Sequence, residues 1–271
     1  MTVLVDSHSH IYDKAYADDL EVVLTNAREV GVAKVVVCGD DISSSLAALE
    51  MGSRHDIVVP TAGVHPHAAR DVDGAALDEI ARLAALPEVA AVGEIGLDFY
   101  RDLSAREDQI AALEAQLTIA AAAGKPACVH SREAEDAIAT PLGKYASKSP
   151  LPLSGRPAGV MHCFGGTLEQ SRRYVDMGFL ISLACIVTYP RNDEARRIAM
   201  ELPLTALLVE TDSPYLPPQH IRGKRNEPAN VSYAAKAIAE VRACTLDEVA
   251  EATTQNAARL FGIEVTSGTA A

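Results

Sequence analysis

The chain has 271 residues, a length that suits one (β/α)8 barrel with one large hydrophobic core but would equally permit two smaller domains. Its formal net charge of −13 and sequence pI near 5.0 argue against a broad surface for duplex DNA or an anionic membrane, although a small cation-filled cleft could still take a phosphodiester. No apolar run approaches the roughly 20 residues that cross a bilayer, and five scattered cysteines without zinc-site spacing favour a reducing, cytoplasmic location.

Short apolar runs alternate with stretches of helical spacing along the whole chain. The predicted strands are 2–6, 33–38, 58–63, 89–94, 126–130, 158–162, 179–183 and 206–210. Helices are predicted over 18–30, 43–53, 75–85, 106–123 and 192–201, with two closing helices near 229–242 and 246–260. Eight such units predict an α/β fold, a single (β/α)8 TIM barrel over residues 1–271. An open doubly wound sheet is the alternative.

Two proline-rich segments interrupt this alternation. Residues 140–157, before the sixth strand, are predicted to form a mobile loop on the side of the barrel away from an active site. Residues 213–228 follow the eighth strand, where barrels often place phosphate contacts. We expect the basic residues of this segment, Arg222, Lys224 and Arg225, to bind substrate, with a solvated charge run as the alternative.

Polar residues cluster where the predicted strands end, and in a (β/α)8 barrel those ends form the active rim. The first strand ends in the run 6–10, DSHSH. Residues two apart on an extended strand point to the same side, so His8 and His10 can converge on one ion while Ser7 and Ser9 face outward. Strands four, five, six and eight end in Glu94, His130, His162 and Asp212.

Imidazole and carboxylate ligands suit zinc, manganese and similar divalent ions. Six of them exceed the needs of one zinc but suffice for two ions with a bridging carboxylate and positions open to water. Glu94 is the expected bridge, because it lies between the two pairs of histidines. Asp212 is expected to ligate the first ion and to orient the attacking water or accept its proton.

The sequence resembles the TatD-type metal-dependent deoxyribonucleases of the amidohydrolase superfamily. The matching segments span nearly the whole chain: DSHSH (6–10), GVHPH (63–67), GEIGLDFY (93–100), VHSREA (129–134), MHCFGG (161–166), ETDSPYL (210–216), RGKRNEP (222–228) and TTQNAARLFG (253–262). The resemblance implies a two-metal site with the same six ligands, dependence on Mg, Mn or Zn, and action on DNA from an end. The sequence departs from the family pattern in two places: it has His-Ser-His in place of the more usual His-Cys-His, and its 140–157 segment is longer than usual.

Residues at the rim are candidates for substrate contact. His65, which ends the third strand within GVHPH, is predicted to touch a phosphate or shuttle a proton, with a capping or packing role as the alternative. Arg132 follows a predicted ligand by two residues and is expected to meet a substrate phosphate. Three aromatic residues could stack on bases: Tyr100, Phe164 and Tyr215. The run 226–228 is interpreted as a turn and helix start.

The leading functional hypothesis is hydrolysis of phosphodiester bonds by a 3′–5′ exodeoxyribonuclease that acts on single-stranded or end substrates, with no membrane partner. The first alternative keeps the site but hydrolyses an ester or amide bond, as in deacylation of aminoacyl-tRNA, because one fold and one metal site serve many substrates. The second alternative is a metal-binding barrel without enzymatic activity. The sequence does not predict the oligomeric state.

Overall fold

A computed structural model describes residues 2–265 of the chain. Eight parallel strands alternate with helices, which confirms the predicted (β/α)8 barrel. The strands are β1 (Leu4–Ser9), β2 (Val32–Val37), β3 (Val58–Pro60), β4 (Val92–Asp98), β5 (Ala127–Arg132), β6 (Gly159–Met161), β7 (Phe179–Leu183) and β8 (Leu207–Val209). The helices are α1 (Leu20–Glu29), α2 (Ile42–Arg54), α3 (Gly74–Ala84), α4 (Arg106–Ala123), α5 (Ala139–Lys148), α6 (Leu168–Asp176), α7 (Asp193–Glu201), α8 (Val231–Arg242) and α9 (Leu246–Phe261).

The strands pair as two parallel sheets, β1–β3 and β4–β8, and both seams between the sheets are bridged. Isolated parallel bridges join Ala62 to Val92 and Ser9 to Ser213. The N–H of Gly93 also donates to the Ala62 carbonyl, at 2.8 Å. These contacts join the two sheets at both seams, and the carboxyl ends of the strands lie at one rim.

The helices begin at capping residues that the local sequence supplies. Asp41 and Ser44 form a capping box before α2, and Thr245 and Glu248 form another before α9. Helix α4 ends at Gly124, which adopts the left-handed conformation with φ of 63°. Among residues 2–265, no helix has the length and apolar character needed to span a membrane.

Glycine lets β4 lie against β5 at the level of the predicted ligands. Gly96 has φ of 154° and pairs with His130 of β5. A Cβ atom at position 96 would lie 1.9 Å from the carbonyl oxygen of His130, a distance that no packing can accommodate. A side chain at this position would therefore push β5, and His130 with it, away from Glu94.

The prediction of a mobile loop over 140–157 is wrong for its first half, where α5 forms. Pro141 lies in the first turn of α5, where its missing N–H costs no helical hydrogen bond. Leu142 and Tyr145 are buried, and the Tyr145 hydroxyl donates to the carbonyls of Lys125 and Ala158, each at 2.9 Å. Burial of these two side chains outweighs the weak helix propensity of the segment.

Candidate metal centre

The structure brings the six predicted ligands together at the carboxyl ends of the strands. On one side, Nε2 of His8 lies 3.3 Å from Oε2 of Glu94 and 3.1 Å from Nε2 of His10. Nε2 of His10 lies 3.4 Å from the same Glu94 oxygen and 3.5 Å from Oδ1 of Asp212. Ligands about 2.0–2.1 Å from a tetrahedral zinc lie about 3.3–3.4 Å from one another. The four distances above are close to this spacing, whereas Nε2 of His8 and Oδ1 of Asp212 are 4.0 Å apart. His8, His10 and Asp212 thus lie close enough together to hold one ion.

The other oxygen of Glu94 faces a second group of donors. Its Oε1 lies 2.9 Å from Nδ1 of His130 and 2.8 Å from Nε2 of His162, and these two nitrogens are 3.2 Å apart. The imidazole of His8 stacks on that of His162, with ring centroids 3.8 Å apart. Glu94 thus lies between the two groups and offers one carboxylate oxygen to each.

The chemistry of this donor set fits a divalent cation. Two pairs of ring nitrogens, in His8–His10 and in His130–His162, point at each other across 3.1 and 3.2 Å. Glu94 is buried between them, and a buried carboxylate surrounded by imidazole nitrogens requires protons or a metal to neutralise it. A bound divalent ion would satisfy these nitrogens and the carboxylate together.

Mutual electrostatics keep the acids ionised. Burial alone would raise the pKa of Glu94, but the surrounding histidines, His162 foremost, hold it well below its usual value. Burial likewise opposes ionisation of Asp212, and its hydrogen bond with His10 lowers the pKa of this carboxyl. For His10, burial lowers the pKa, but Asp212 and Glu94 outweigh it and raise the value to about 9. Without a cation, these carboxylates therefore hold protons on neighbouring imidazoles.

Oxygen atoms lie behind the rings of three candidate ligands, on residues that the sequence analysis did not assign. Nδ1 of His10 lies 3.0 Å from the Cys38 carbonyl oxygen. Nδ1 of His162 lies 3.5 Å from Oε1 of Glu210. Oδ2 of Asp98 stands 3.4 Å from Nε2 of His130 without a hydrogen bond, and its closer contact is with Nε2 of His67, at 2.8 Å. An acceptor behind a metal-binding imidazole fixes its tautomer and raises its basicity. The available signal was an acid at the end of a strand: Asp98 ends β4, and Glu210 follows β8.

A buried polar network holds the segment that carries Asp212. The Asp6 carboxylate accepts hydrogen bonds from the backbone N–H and the hydroxyl of Thr211, at 2.8 and 2.6 Å. The Asn226 amide donates to the carbonyls of Thr211 and Tyr215, at 2.9 and 2.8 Å. Asn226, interpreted from sequence as part of a turn, therefore also clamps both ends of the segment around Asp212.

Beside the ligands lies a cleft of about 760 Å³, and two predicted substrate residues line it, His65 and Arg132. Nε2 of His65 lies 3.5 Å from Oε1 of Glu94, and burial lowers the pKa of this ring well below its usual value. The guanidinium of Arg132 stacks 3.8 Å above the ring of Tyr100. Tyr215, 56% exposed, also lines the cleft. Ser7 and Ser9, predicted to face outward, are both buried and hydrogen-bonded.

The basic residues after β8 lie elsewhere. In the described part of the chain, Arg222, Lys224 and Arg225 are not among the residues that line the cleft. The guanidinium of Arg225 binds both carboxylate oxygens of Asp19, at 2.8 and 2.7 Å, and that of Arg222 lies 4.8 Å above the Tyr189 ring. Phe164, predicted to stack on bases, is only 3% exposed and packs against Tyr174. This side chain is therefore not available to a substrate, because it belongs to the core.

A barrel with a histidine and carboxylate centre at its carboxyl rim defines a metal-dependent hydrolase. The model of the TatD related DNase family matches residues 5–262, and the chain belongs to this family. It is 36% identical over 261 residues to an uncharacterized metal-dependent hydrolase, YabD of Bacillus subtilis, covering 96% of this chain and 100% of the relative. It is 36% identical over 254 residues to the 3′-5′ ssDNA/RNA exonuclease TatD of Pantoea ananatis, covering 92% and 95%.

A solved structure of the same family supports the fold. The crystal structure of YJJV, a TatD homologue from Escherichia coli K12, superposes with a TM-score of 0.89 at 30% identity, and the match covers 96% of this chain and 98% of that one. The chain is thus a hydrolase that acts on ester bonds, and the resemblance inferred from its motifs is confirmed.

Proposed function

We propose that this hydrolase is a two-metal 3′–5′ exonuclease that removes nucleotides from the end of single-stranded DNA. The observation that carries the proposal is the position of Glu94, whose Oε2 faces His8 and His10 and whose Oε1 faces His130 and His162. One carboxylate that serves two donor groups favours two adjacent ions. Relatives named 3′-5′ ssDNA/RNA exonuclease, at about one-third identity, support the polarity and the substrate class.

Two bound divalent ions would supply a Lewis-acid pair and a water molecule of lowered pKa. His8, His10 and Asp212 would hold one ion, His130 and His162 the other, with Glu94 shared. The chain itself contributes the positioning. Asp212 lies at the edge of the first group, where its carboxylate orients the attacking water and accepts its proton.

The cleft favours a single strand over a duplex. Tyr215 lines the cleft and is more than half exposed, so its ring can stack on an unpaired base, a contact that contributes about 1–3 kcal/mol. Tyr100 is exposed as well, outside the cleft lining, and Arg132 covers one face of its ring. Tyr215 lies near the first ligand group, with its ring 6.2 Å from that of His10. Arg132 adds a cation beside Tyr100. The net charge of −13 opposes the extended phosphate contacts that duplex binding requires.

The decisive experiment compares a linear single strand with a covalently closed circle of the same sequence, in magnesium and in manganese. We expect a 5′-labelled linear strand to shorten as a ladder from its 3′ end while the circle remains intact. The variant Asp212→Asn is the inactive control, because its amide keeps the shape of the side chain but cannot accept a proton. Rapid cutting of the circle would refute an exonuclease. Resistance of both molecules, with release of amino acid from aminoacyl-tRNA, would establish the deacylase instead.

A further inference from the structure

The two ring nitrogens of His65 have different partners. Pro66 restricts His65 to extended backbone, and its φ of −63° and ψ of 148° make it the cap of the short 3-10 turn Pro66–Asp71. In that position Nδ1 accepts a hydrogen bond from the backbone N–H of His67, at 3.1 Å. Nε2 points the other way and lies 3.5 Å from Oε1 of Glu94. The side chain is 12% exposed, so it can be reached from the cleft.

The cap determines where the proton of this imidazole resides. A neutral imidazole has one N–H donor and one acceptor nitrogen. Because Nδ1 of His65 accepts the backbone N–H of His67, the proton must be on Nε2. The nitrogen that faces the metal centre is therefore a hydrogen-bond donor.

Distance alone would allow His65 to act as a ligand. Its Nε2, a Glu94 oxygen and a ring nitrogen of His130 all lie within 4.8 Å of one another, close enough to surround an ion. Ligation, however, needs a lone pair on Nε2. With Nδ1 already accepting a hydrogen bond, a ligating His65 would have to be an imidazolate anion.

Two of the four candidate ligand histidines have the opposite arrangement. Nδ1 of His10 lies 3.0 Å from the carbonyl oxygen of Cys38, which can only accept, and 2.9 Å from the Tyr12 hydroxyl, which can also accept. When this ring is neutral with its proton on Nδ1, Nε2 has a free lone pair for a metal ion. Nδ1 of His162 faces the carboxylate of Glu210 at 3.5 Å, an electrostatic contact without a hydrogen bond. The partner behind the ring thus separates the two roles: an acceptor stands behind these two ligand imidazoles, and a donor stands behind His65.

We propose that His65 is a fixed hydrogen-bond donor to the substrate and not a seventh metal ligand. This inference rests on the proposed nuclease function for the identity of the substrate. The Nε2–H would donate to a non-bridging oxygen of the scissile phosphate held beside Glu94, where negative charge develops as the ester bond breaks. Removal of one such donor lowers kcat by about 10²–10³-fold in enzymes that rely on it.

The tautomer is tested directly by long-range ¹H–¹⁵N correlation on histidine-labelled protein, with and without zinc. The His65 signals are assigned by their loss in His65→Gln. We expect Nε2 of His65 to carry the proton in both samples, whereas the metal-facing nitrogens of His130 and His162 change on zinc binding. A proton on Nδ1 of His65, or a zinc-dependent change of its Nε2 to a metal-bound nitrogen, would overturn the proposal.

Three variants separate the cap from the donor. His65→Asn can keep the acceptor for the cap but loses the donor, His65→Gln places an amide N–H near the Nε2 position, and His65→Ala loses both. We expect all three to bind as much zinc per chain as the wild type, measured by mass spectrometry of the metal, whereas His130→Ala loses metal. On linear single-stranded DNA, the Asn and Ala variants should lose at least about 10²-fold in kcat and the Gln variant clearly less.

Metal loss in the His65 variants equal to that of His130→Ala would assign the residue as a ligand and overturn the proposal. The proposal would also be overturned if His65→Gln, with full metal content, lost as much kcat as His65→Ala. If the wild type does not degrade DNA, the proposed function fails on its own, because the tautomer and the metal content still decide the role of His65.

Discussion

Replacing Asn226 with alanine is expected to disturb the active site although Asn226 does not line the cleft. Its amide N–H groups donate to the Thr211 and Tyr215 carbonyls, at 2.9 and 2.8 Å. Its amide oxygen accepts the backbone N–H of Glu227 at 3.0 Å and the side chain of Asn230 at 2.9 Å. A third, longer hydrogen bond runs from the amide to the Leu216 carbonyl at 3.3 Å. The substitution removes all five hydrogen bonds at once.

The magnitude follows from burial. Asn226 is 0% exposed, so water cannot readily replace the lost partners. Each hydrogen bond contributes about 1 kcal/mol net, and a buried partner left unsatisfied costs about 1–3 kcal/mol, so we expect a loss of about 4 kcal/mol or more. That loss is a large share of the free energy of unfolding of a typical domain, roughly 5–15 kcal/mol. At about 2–4 °C per kcal/mol, the apparent Tm should fall by about 10 °C.

Activity should fall as well, because the clamped segment carries Asp212. A shift of about 1 Å in a catalytic group can cost about 10²-fold in rate. The assay is thermal unfolding of the metal-free protein, together with kcat measured with manganese well below the Tm of the variant. Thr245→Ala is the control. It removes the cap of α9, beside Thr2 at the opposite end of the barrel, and should cost about 1 kcal/mol with full activity.

The reasoning is refuted if Asn226→Ala unfolds no earlier than Thr245→Ala, or if it retains the kcat of the wild type. The first result would mean that the buried hydrogen bonds are replaced by others. The second would mean that the position of Asp212 does not depend on the clamp.

Two further predictions concern charge. Protonated His10 cannot ligate a metal, and its pKa is raised to about 9. Manganese affinity should therefore increase with pH and level off only above about 9, with release of protons on binding. Calorimetry in buffers of different ionisation enthalpy measures both effects, and a pH-independent affinity would contradict the prediction. Arg132→Ala should reduce the slope of log K against log salt for single-stranded DNA by about 0.7, the loss of one phosphate contact. Arg225→Ala should leave the slope unchanged and lower the Tm, because Arg225 is bound to Asp19. Equal slopes in the two variants would refute the assignment of Arg132 to substrate and of Arg225 to stability.

The convergence of the six candidate ligands could be predicted because it depends on two rules that act locally. Alternation along a strand directs His8 and His10 to one side, and the ends of parallel strands meet at one rim. Neither rule requires knowledge of which residues, distant in sequence, these side chains contact. The same rules place Glu94 at the centre of the group, since β4 lies between the strands that carry the other ligands. Local periodicity therefore determines most of this site.

The supporting residues could not be predicted in the same way, because their partners are distant in sequence. Arg225 was expected to bind substrate, but Asp19, 206 positions away, engages its guanidinium. The loop predicted over 140–157 failed for a related reason. Its composition favours a turn, and only the docking of Tyr145 against the carbonyls of Lys125 and Ala158 makes the first half helical. Composition reports local preference and does not reveal which surface will bury a side chain.

Histidines with the same position at the rim differ in chemistry because of the atom behind the ring. His10 and His65 both follow strands and both approach Glu94, with Nε2 at 3.4 and 3.5 Å from its carboxylate. In the neutral rings, a carbonyl oxygen behind His10 leaves a lone pair facing the centre, whereas a backbone N–H behind His65 leaves a proton there. A motif records that a histidine is present but not which nitrogen holds its proton. The proline after His65 is the one local signal of the difference, because it sets the extended backbone that makes His65 a cap.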